Sequence, residues 1–384
     1  SVAILISFIL IFEFKGEIKA LDFPHTLKIL RNLDNIVIVI IFALGIVAVS
    51  FLTLYDLTVK KYFSIGLPFS KVFGIGWISG TINNFIGLGG VVGASLRTFL
   101  YEKEGIDTKT AIRFNIYIVL SNITGLSVLI LMGFLRVYKF STIADVNKLY
   151  LIILFVFVLY LPIYFLIDKI PILKKKLLGD NEPLPIEFKF RMICASVLDW
   201  TVATLFFSGI VMYFSRNLAL REIIPIYLVS ITLGIISFLP GGLGSFDISA
   251  FAGLKLIGAT SESALAGILI YRLFYYVVPW AFSMLVFLSE LIPKKKGKKR
   301  QNINLAIEFN TKALAAMVFS AGVILILSAA IPAVVERFKF VNSFISSPVL
   351  QFSKRISMAI GIMLLILSKG IYEKVKGAYS STVV

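Results

Sequence analysis

The segment SFLPGGLGSFD, residues 237–247, interrupts an otherwise apolar region with a proline, three glycines and an aspartate. Glycine and proline end or kink helices, and a carboxylate is costly in lipid. A second apolar region is interrupted in the same way by GTINNFIGLGGVVGASLR, residues 80–97. The two segments therefore predict broken helices within the regions 66–97 and 223–258.

The composition is that of a membrane protein. Hydrophobic residues make up 58% of the 384 residues, charged residues only 15%, and the mean hydropathy is +0.94. Apolar runs of about 20 residues are long enough to cross the hydrocarbon of a bilayer. We therefore expect an all-α polytopic membrane protein with about eight spans and two broken hairpins. The expected spans are 1–14, 36–55, 114–135, 149–168, 193–214, 263–288, 313–335 and 356–372.

Basic residues indicate how these spans are oriented. Lys and Arg number 38 against 21 Asp and Glu, a net charge of +17, and such an excess in short loops marks the cytoplasmic side. Lys60 and Lys61, the loop 169–191 and the run KKKGKKR at 294–300 share one side if both broken segments are re-entrant. The first hairpin then opens inward and the second outward, as in an inverted repeat, and the N-terminus is cytoplasmic.

The charge distribution also suggests a division of the chain. The polar stretch 294–312 predicts a basic cytoplasmic linker between a membrane domain, residues 1–293, and the start of a second, incomplete membrane bundle, residues 313–384. We assign the basic excess to topology and to anionic headgroups, not to nucleic acid. The sequence predicts no catalytic set, metal site or cofactor, and its single cysteine, Cys194, excludes an internal disulfide. Its aromatic residues are expected to face lipid or the interface.

Charged residues within apolar segments are candidate functional residues, because each is costly in lipid unless it is paired or hydrated. They are Asp56, Asp199, Asp247 and Arg272. Asp56 also precedes Lys60 by four residues, which allows a surface ion pair along one helix. Asp199 lies about two turns into its helix, unless Trp200 marks the interface there. Arg272 needs a partner, either Asp247 or Asp199, and a purely structural Arg–Asp pair is an equal alternative.

The glycine segments predict an anion-binding site. Backbone N–H groups just before a helix, in a conformation that glycine permits, form a nest suited to a phosphate. The residues concerned are Gly241, Gly242, Gly244 and Ser245 in the second segment, and Asn83, Asn84 and Arg97 in the first. Close packing of helices through small residues is the alternative for Gly87, Gly90 and Gly93.

Three motifs, INNFIGLGGVVGASLR, FLPGGLGSFD and YRLFYYVVPW, resemble the membrane region of the multiple peptide resistance factor (MprF) family of bacterial lysylphosphatidylglycerol synthases and flippases. The resemblance covers the chain from about residue 36 onward. It implies a protein of the bacterial cytoplasmic membrane that moves aminoacylated, lysyl-bearing phosphatidylglycerol from the inner to the outer leaflet. That transfer lowers the negative surface charge and gives resistance to cationic antimicrobial peptides. The soluble aminoacyltransferase domain of a full-length parent would lie outside these residues.

Such a lipid carries a phosphate and two amines, so its site needs both basic and acidic groups. We expect the phosphate at Arg97, Arg272, Asn83, Asn84 and the second glycine segment, and the amines at Asp56, Asp199 and Asp247. Two alternatives stay open: a membrane part that mainly serves the transferase, and a transporter of another lipid headgroup. The aminoacyl group, the energy source and the formation of a homo-oligomer are open as well.

Overall fold

A computed structural model describes residues 33–87, 90–138, 148–171, 185–237 and 240–291, with the single positions 29, 140 and 175. Every regular element within these residues is helical, which confirms the all-α prediction. In chain order the helices are α1 Asn35–Ser50, α2 Leu54–Tyr62, α3 Phe69–Ile86, α4 Val91–Lys103, α5 Thr108–Phe134, α6 Lys148–Leu166, α7 Ile186–Phe214, α8 Leu220–Ile236, α9 Ser245–Leu256, α10 Ser261–Arg272 and α11 Val278–Leu291.

Five stretches of the described chain are long and apolar enough to cross a membrane. They are Asn35–Tyr62, Thr108–Phe134, Lys148–Leu166, Ile186–Phe214 and Ser261–Phe287. They coincide with the predicted spans 36–55, 114–135, 149–168, 193–214 and 263–288, and they indicate a multi-pass membrane protein. The predicted spans 1–14, 313–335 and 356–372, and the linker 294–312, lie outside the described residues.

Short turns join some of these helices into longer units. The 3₁₀ turn Phe51–Thr53 joins α1 to α2, and the π turn Leu273–Val277 joins α10 to α11. Helix α11 packs against α3, where the rings of Phe85 and Trp280 stack with their centroids 4.4 Å apart and the hydroxyls of Thr81 and Ser283 share a hydrogen bond.

Side-chain caps define where several helices begin. Asp34 accepts a hydrogen bond from the N–H of Ile36 at the start of α1, and Thr260 accepts one from Ser263 at the start of α10. Asp107 caps α5 and accepts a hydrogen bond of 3.0 Å from the N–H of Thr110. Hydrogen bonds from the Thr110 side chain and backbone hold the pKa of the Asp107 carboxyl below its usual value. Each cap satisfies an N–H group that the helix itself leaves unpaired.

Helix α7 is the central helix of the described region and packs against α1, α2, α5, α8 and α10. Its contact with α5 depends on a glycine, because a Cβ atom at Gly125 would lie 2.2 Å from the carbonyl oxygen of Ser196. The N–H of Gly125 donates to the Ser196 hydroxyl over 2.8 Å, and that hydroxyl donates to the carbonyl of Asn122 over 2.7 Å. Small residues and interhelical hydrogen bonds are the usual means of joining helices in lipid.

The outside of the molecule is apolar along its candidate spans. Helix α1 exposes Ile36 and Val39, and helix α6 exposes Ile152 and Val156, each to more than half of its surface. Buried positions, in contrast, include many small polar side chains, among them Ser121, Ser127, Ser196, Ser208, Thr204 and Thr232. An apolar exterior around a partly polar interior is what a surrounding bilayer requires.

Both predicted helix breaks are confirmed, and each separates two helices that pack against one another. Helix α3 ends at Ile86, and the chain passes Gly87 and Gly90 at φ of 72° and 87° before α4 begins. Helix α8 ends at Ile236, and a 3₁₀ turn, Pro240–Gly242, leads to α9. We call α3–α4 the first hairpin and α8–α9 the second hairpin. Whether each enters and leaves on one side of the membrane stays a prediction.

The tips of the two hairpins meet. The turn Pro240–Gly242 packs against α3, and a Cβ atom at Gly241 would lie 3.2 Å from the carbonyl oxygen of Phe85. Gly241 itself adopts a left-handed conformation with φ of 56°. Glycine suits this position for two reasons: it lets the backbone of α3 approach closely, and it adopts a positive φ without strain. It brings the two interrupted segments of the sequence, about 150 residues apart, to one place in the fold.

Candidate functional site

A cavity of about 370 Å³ lies where the two hairpin tips meet. Both breaks contribute to its lining, with residues of the spans α2, α5 and α7 around them. The polar and glycine residues among the lining are Gly80, Asn83, Asn84, Gly87, Gly90, Gly93, Arg97, Asn122, Asp199, Gly234, Gly241 and Gly242, and the aromatic ones are Tyr55, Trp200, Tyr227, Tyr275 and Tyr276. Six of the eleven predicted site residues are thus brought together: Asn83, Asn84, Arg97, Asp199, Gly241 and Gly242.

Arg97 is the basic residue of this lining, and a buried carboxylate stands behind it. Its Nε donates to Oδ1 of Asp56 over 2.9 Å, and its Nη1 donates to Asn115 over 3.3 Å. The hydroxyl of Tyr101 donates to the same oxygen of Asp56 over 3.0 Å. Asp56 has no exposed surface, so the alternative of a surface ion pair with Lys60 is wrong. A buried arginine is a stronger partner than a lysine whose side chain can reach water.

The role predicted for Asp56 changes with this pairing. Asp56 does not line the cavity, and one of its oxygens is already committed to Arg97 and Tyr101. Its charge offsets that of Arg97, and it stands behind that basic group, while its other oxygen, Oδ2, has no hydrogen-bond partner among the described residues. The Nη2 atom of Arg97 makes no hydrogen bond to any residue that the structure describes. Arg97 therefore keeps donors available for an anion in the cavity.

Asp199 is the acidic residue of the lining. It is 3% exposed, and its Oδ2 accepts a hydrogen bond of 3.0 Å from the hydroxyl of Tyr55. Asn122 donates to that hydroxyl over 3.1 Å. The other carboxylate oxygen, Oδ1, has no hydrogen-bond partner within the described part of the chain. A buried carboxylate oxygen without a partner is costly, and a cationic ligand is one way to satisfy it.

Two consecutive residues of α2 hold the two charged groups of the cavity. Tyr55 donates to Asp199, and Asp56 accepts from Arg97. The basic and acidic groups are therefore fixed relative to each other through one short helix. Trp200 packs here as well: its indole N–H donates to the carbonyl of Asn122 over 2.7 Å. The residue thus bonds to α5 and lines the cavity.

Arg272 and Asp247 form the predicted ion pair, but they do not line the cavity. Nε of Arg272 donates to Oδ1 of Asp247 over 2.7 Å, and Nη2 donates to Oδ2 over 3.0 Å. Nη1 of Arg272 also donates to the carbonyl of Gly241 over 2.6 Å. The guanidinium lies 4.7 Å from the ring centres of both Phe246 and Tyr276. The contacts of Arg272 with Gly241, Asp247 and Phe246 hold the second hairpin against α10, and its contact with Tyr276 lies within the unit of α10 and its π turn.

In the second glycine segment the carbonyls of Gly241 and Gly242 accept hydrogen bonds from Arg272. Whether the N–H groups of these two glycines form the predicted phosphate nest stays a prediction. The N–H of Gly244 donates to Asp247 over 2.9 Å, and the hydroxyl of Ser245 donates to Ser237 over 2.8 Å. Gly244 and Ser245 therefore serve the turn and the start of α9.

In the first glycine segment the packing alternative holds for one glycine. A Cβ atom at Gly93 would lie 2.7 Å from the Cβ of Asn83, and the N–H of Gly93 donates to the Asn83 side chain over 3.2 Å. Asn83 thus closes the first hairpin at the same time as it lines the cavity. Asn84 lines the cavity without such a bond to a described residue, so its amide can face a ligand.

Buried tyrosines are the part of the site that the sequence did not predict. Tyr55, Tyr227 and Tyr271 are each at most 1% exposed, and the hydroxyls of Tyr227 and Tyr271 lie 3.0 Å apart. Tyr275 stacks on Tyr271 with ring centroids 5.1 Å apart. The expectation that aromatic residues face lipid or the interface is wrong for this group. A signal was present, because YRLFYY places three tyrosines beside an arginine within a span.

Comparison with known proteins agrees with the resemblance that the motifs suggested. The chain matches the lysylphosphatidylglycerol synthase TM region over residues 1–283. It is 26% identical over 400 residues to a phosphatidylglycerol lysyltransferase of Bacillus subtilis, covering 97% of this chain and 45% of that protein. It is 30% identical over 274 residues to a phosphatidylglycerol lysyltransferase of Staphylococcus haemolyticus, covering 70% of this chain and 31% of that protein.

A phosphatidylglycerol lysyltransferase of Staphylococcus aureus is 26% identical over 274 residues. The chain spans less than half the length of these relatives, which are longer proteins. The matched region includes both glycine breaks and every residue of the cavity lining. The chain therefore belongs to the family of lysylphosphatidylglycerol synthase transmembrane regions.

Proposed function

We propose that this chain translocates aminoacylated phosphatidylglycerol, with lysine as the aminoacyl group, from the inner to the outer leaflet of the bacterial cytoplasmic membrane. The observation that carries the proposal is the pair of buried, opposite charges in one cavity at the meeting point of two broken helices. Among the described residues, Arg97 retains donors without a partner there, and Asp199 retains an oxygen without one. Broken helices lining a polar cavity are typical of transport sites in membrane proteins.

The charges of the cavity suit this lipid. Arg97, Asp56 and Asp199 carry formal charges of plus one, minus one and minus one, a sum of minus one. A lysyl-phosphatidylglycerol headgroup has one phosphate and two amines, a sum of plus one. In our proposal the phosphate contacts Arg97 and Asn84, an amine contacts Asp199, and the acyl chains stay in the bilayer. Arg272, Asp247, Gly244 and Ser245, which we first expected at the headgroup, hold the second hairpin in place.

We further propose that both hairpins are re-entrant and that the chain has about eight spans in all. The order of the elements supports this reading. The first hairpin lies between the spans α1–α2 and α5, the second lies between α7 and α10–α11, and the single span α6 separates the two units. One intervening span makes the units run in opposite directions if neither hairpin crosses. The N-terminus is then cytoplasmic, with residues 1–293 as the transport domain, 294–312 as a cytoplasmic linker and 313–384 as the start of a second bundle.

Cysteine accessibility tests this topology. In a Cys194→Ser chain, single cysteines at Tyr62 and Thr108 flank the first hairpin. A membrane-impermeant maleimide should label both from the cytoplasmic side of inverted vesicles and neither from the outside of intact cells. Labelling of the two positions from opposite sides would show that the first hairpin crosses the membrane.

A leaflet-specific assay tests the transport function. A bacterial host that makes lysyl-phosphatidylglycerol from a separately expressed synthase receives this chain, and an impermeant amine reagent then measures the lipid exposed outside. Asp199→Asn removes the acidic charge and keeps an acceptor for Tyr55, so we expect exposed lipid to fall to the level of a host without the chain. Asp107→Asn is the matched control, because Asn also caps a helix and position 107 lies outside the cavity; exposure should stay unchanged.

The same assay separates the alternatives. The named activity of the relatives, phosphatidylglycerol lysyltransferase, favours a second function in which the membrane part mainly serves a catalytic domain. In that case Asp199→Asn in a full-length parent lowers the total amount of lysyl-phosphatidylglycerol, whereas our proposal predicts an unchanged total. Equal translocation of neutral and lysyl-bearing lipids in liposomes would instead indicate a transporter of other headgroups. A working flippase lowers the negative charge of the outer leaflet and should raise resistance to cationic antimicrobial peptides.

A further inference from the structure

A second concave feature lies on the outside of the molecule, between α2 and α7. This α2–α7 groove has a volume of about 770 Å³. Its lining comes from one face of each helix, at the spacing of three or four residues that places side chains in a row. The lining includes Leu54, Leu57 and Lys61 of α2. From α7 it includes Arg191, Cys194 and Leu198.

The groove is charged at one end and apolar at the other. The two helices run antiparallel, because Tyr62 contacts Phe188 with ring centroids 4.4 Å apart, whereas Tyr55 bonds to Asp199. Lys61 therefore lies at the same end as Glu187 and Arg191, and the leucines 54 and 198 lie at the other end.

The length of the groove matches one leaflet. From residue 187 to residue 198 an α-helix rises roughly 16 Å, at 1.5 Å per residue. This is about half of the roughly 30 Å of hydrocarbon in a bilayer. A groove with charge at one end and one leaflet's depth of apolar surface has the polarity and the length of a single phospholipid.

The charge at the polar end selects an anionic headgroup. Glu187 is already paired with Arg191, with Oε1 and Nη2 2.6 Å apart. Lys61 forms no ion pair with an acidic residue in the described ranges. The net positive end of the groove therefore attracts a phosphate that carries no compensating cation.

The groove and the cavity share one wall. Leu54 and Leu198 line the groove, and the residues that follow them, Tyr55 and Asp199, line the cavity and join the two helices by their hydrogen bond. We propose that the α2–α7 groove binds one anionic phospholipid, with its phosphate at Lys61 and its acyl chains along Leu57, Cys194 and Leu198. The proposal goes beyond the translocation function and does not require it.

Photocrosslinking tests this site. The whole chain is reconstituted in phosphatidylcholine vesicles that contain a small amount of phosphatidylglycerol with a diazirine on an acyl chain. Mass spectrometry then locates the crosslinked peptides after illumination. We expect crosslinks within 54–62 and 187–198, removed by excess unlabelled phosphatidylglycerol and kept with excess phosphatidylcholine. Equal crosslinking of these peptides by a diazirine-bearing phosphatidylcholine would overturn the proposal, since any lipid would then fill the groove.

Two lysine variants separate a site from general surface charge. Lys61→Gln should lower crosslinking in the groove about fivefold, the effect of one basic residue near an anionic lipid surface. Lys60→Gln makes the same change of charge at a residue that does not line the groove, and crosslinking should be unchanged. An equal loss in both variants would show non-specific attraction and contradict the site. Crosslinking is measured without any movement of lipid between leaflets, so a failure of the translocation proposal is read separately.

Discussion

The ion pair between Arg272 and Asp247 allows a quantitative test of what holds the second hairpin. The two side chains are 11% and 28% exposed, and two hydrogen bonds of 2.7 and 3.0 Å join them. Removing one member of a buried pair costs about 3–5 kcal/mol because the other charge is left uncompensated. Since Asp247 retains some contact with solvent, we expect Arg272→Met to cost about 3 kcal/mol, at the low end of that range.

The double variant distinguishes the pair from its separate contacts. Asp247→Asn leaves Arg272 with its carbonyl partners, so we expect a loss of about 2 kcal/mol, typical of a hydrogen bond to a charged group. Combining Arg272→Met with Asp247→Asn removes both charges of the pair, so neither is left uncompensated. The total loss in the free energy of unfolding should then stay near 3 kcal/mol. The interaction energy in the cycle is then about 2 kcal/mol.

Denaturant unfolding of the purified chain in detergent micelles, followed by helical circular dichroism, measures these free energies. The ion pair of Lys71 and Glu104, whose side chains are 44% and 24% exposed, is the control and should show a coupling below about 1 kcal/mol. If the Arg272 and Asp247 losses simply add, with a coupling no larger than that of the control pair, the two residues do not act as a unit.

Three further predictions concern other parts of the fold. Gly125→Ala should destabilise the protein by about 3 kcal/mol or more in the same unfolding assay, because the added Cβ would overlap the backbone of α7. Gly209→Ala on α7 is the control. The added Cβ has no atom of a described residue within 4 Å there, so this change should instead stabilise the protein by up to about 1 kcal/mol. Tyr55→Phe removes the hydroxyl that Asp199 accepts from, so leaflet exposure of the lipid should fall while the total lipid is unchanged; unchanged exposure would contradict the role of this hydrogen bond. The pKa of Asp107 is lower in the folded than in the unfolded chain. The contribution of its carboxylate to the free energy of unfolding should therefore be complete above the unfolded pKa of about 3.9, and it should be lost as the pH falls below that value and through the folded-state pKa. Asp107→Ala should remove this pH dependence from thermal unfolding curves.

The interrupted helices and one ion pair are predictable from the sequence because each follows from residues that are unfavourable where they stand, either in a helix or in lipid. Glycine and proline end a helix wherever they cluster, which places the breaks near residues 87–90 and 237–244 without knowledge of the packing. Arg272 within a span must find an acid, and Asp247 was one of two candidates. The pairing of Asp56 with Arg97 was not predictable in the same way, since Lys60 offers a partner on the same helix. Only the fold, which brings the side chain of Arg97 on α4 to within 2.9 Å of Asp56, decides between them.

Two features of the site depend on tertiary structure alone. The peptide groups of Gly241 and Gly242 could present either N–H or carbonyl groups to a neighbouring residue. Because Arg272 on another helix has only donors, it is the carbonyls that face it. The presence of tyrosines in a span does not reveal whether they face lipid or the protein interior. Which side Tyr271 and Tyr275 face depends on the rotation of α10 and of the π turn that follows it, and that rotation depends on what these elements pack against.

The π turn Leu273–Val277 sets the rotational phase of the last described helix. One residue more than a regular α-helix fits into this turn, and each residue of an α-helix accounts for about 100° of rotation. Deleting a single residue there would restore a continuous α-helix and turn the whole of α11 by about that angle. Trp280 would then leave Phe85, and Ser283 would leave Thr81. The one additional residue in this turn thus sets the rotation at which α11 packs against the first hairpin.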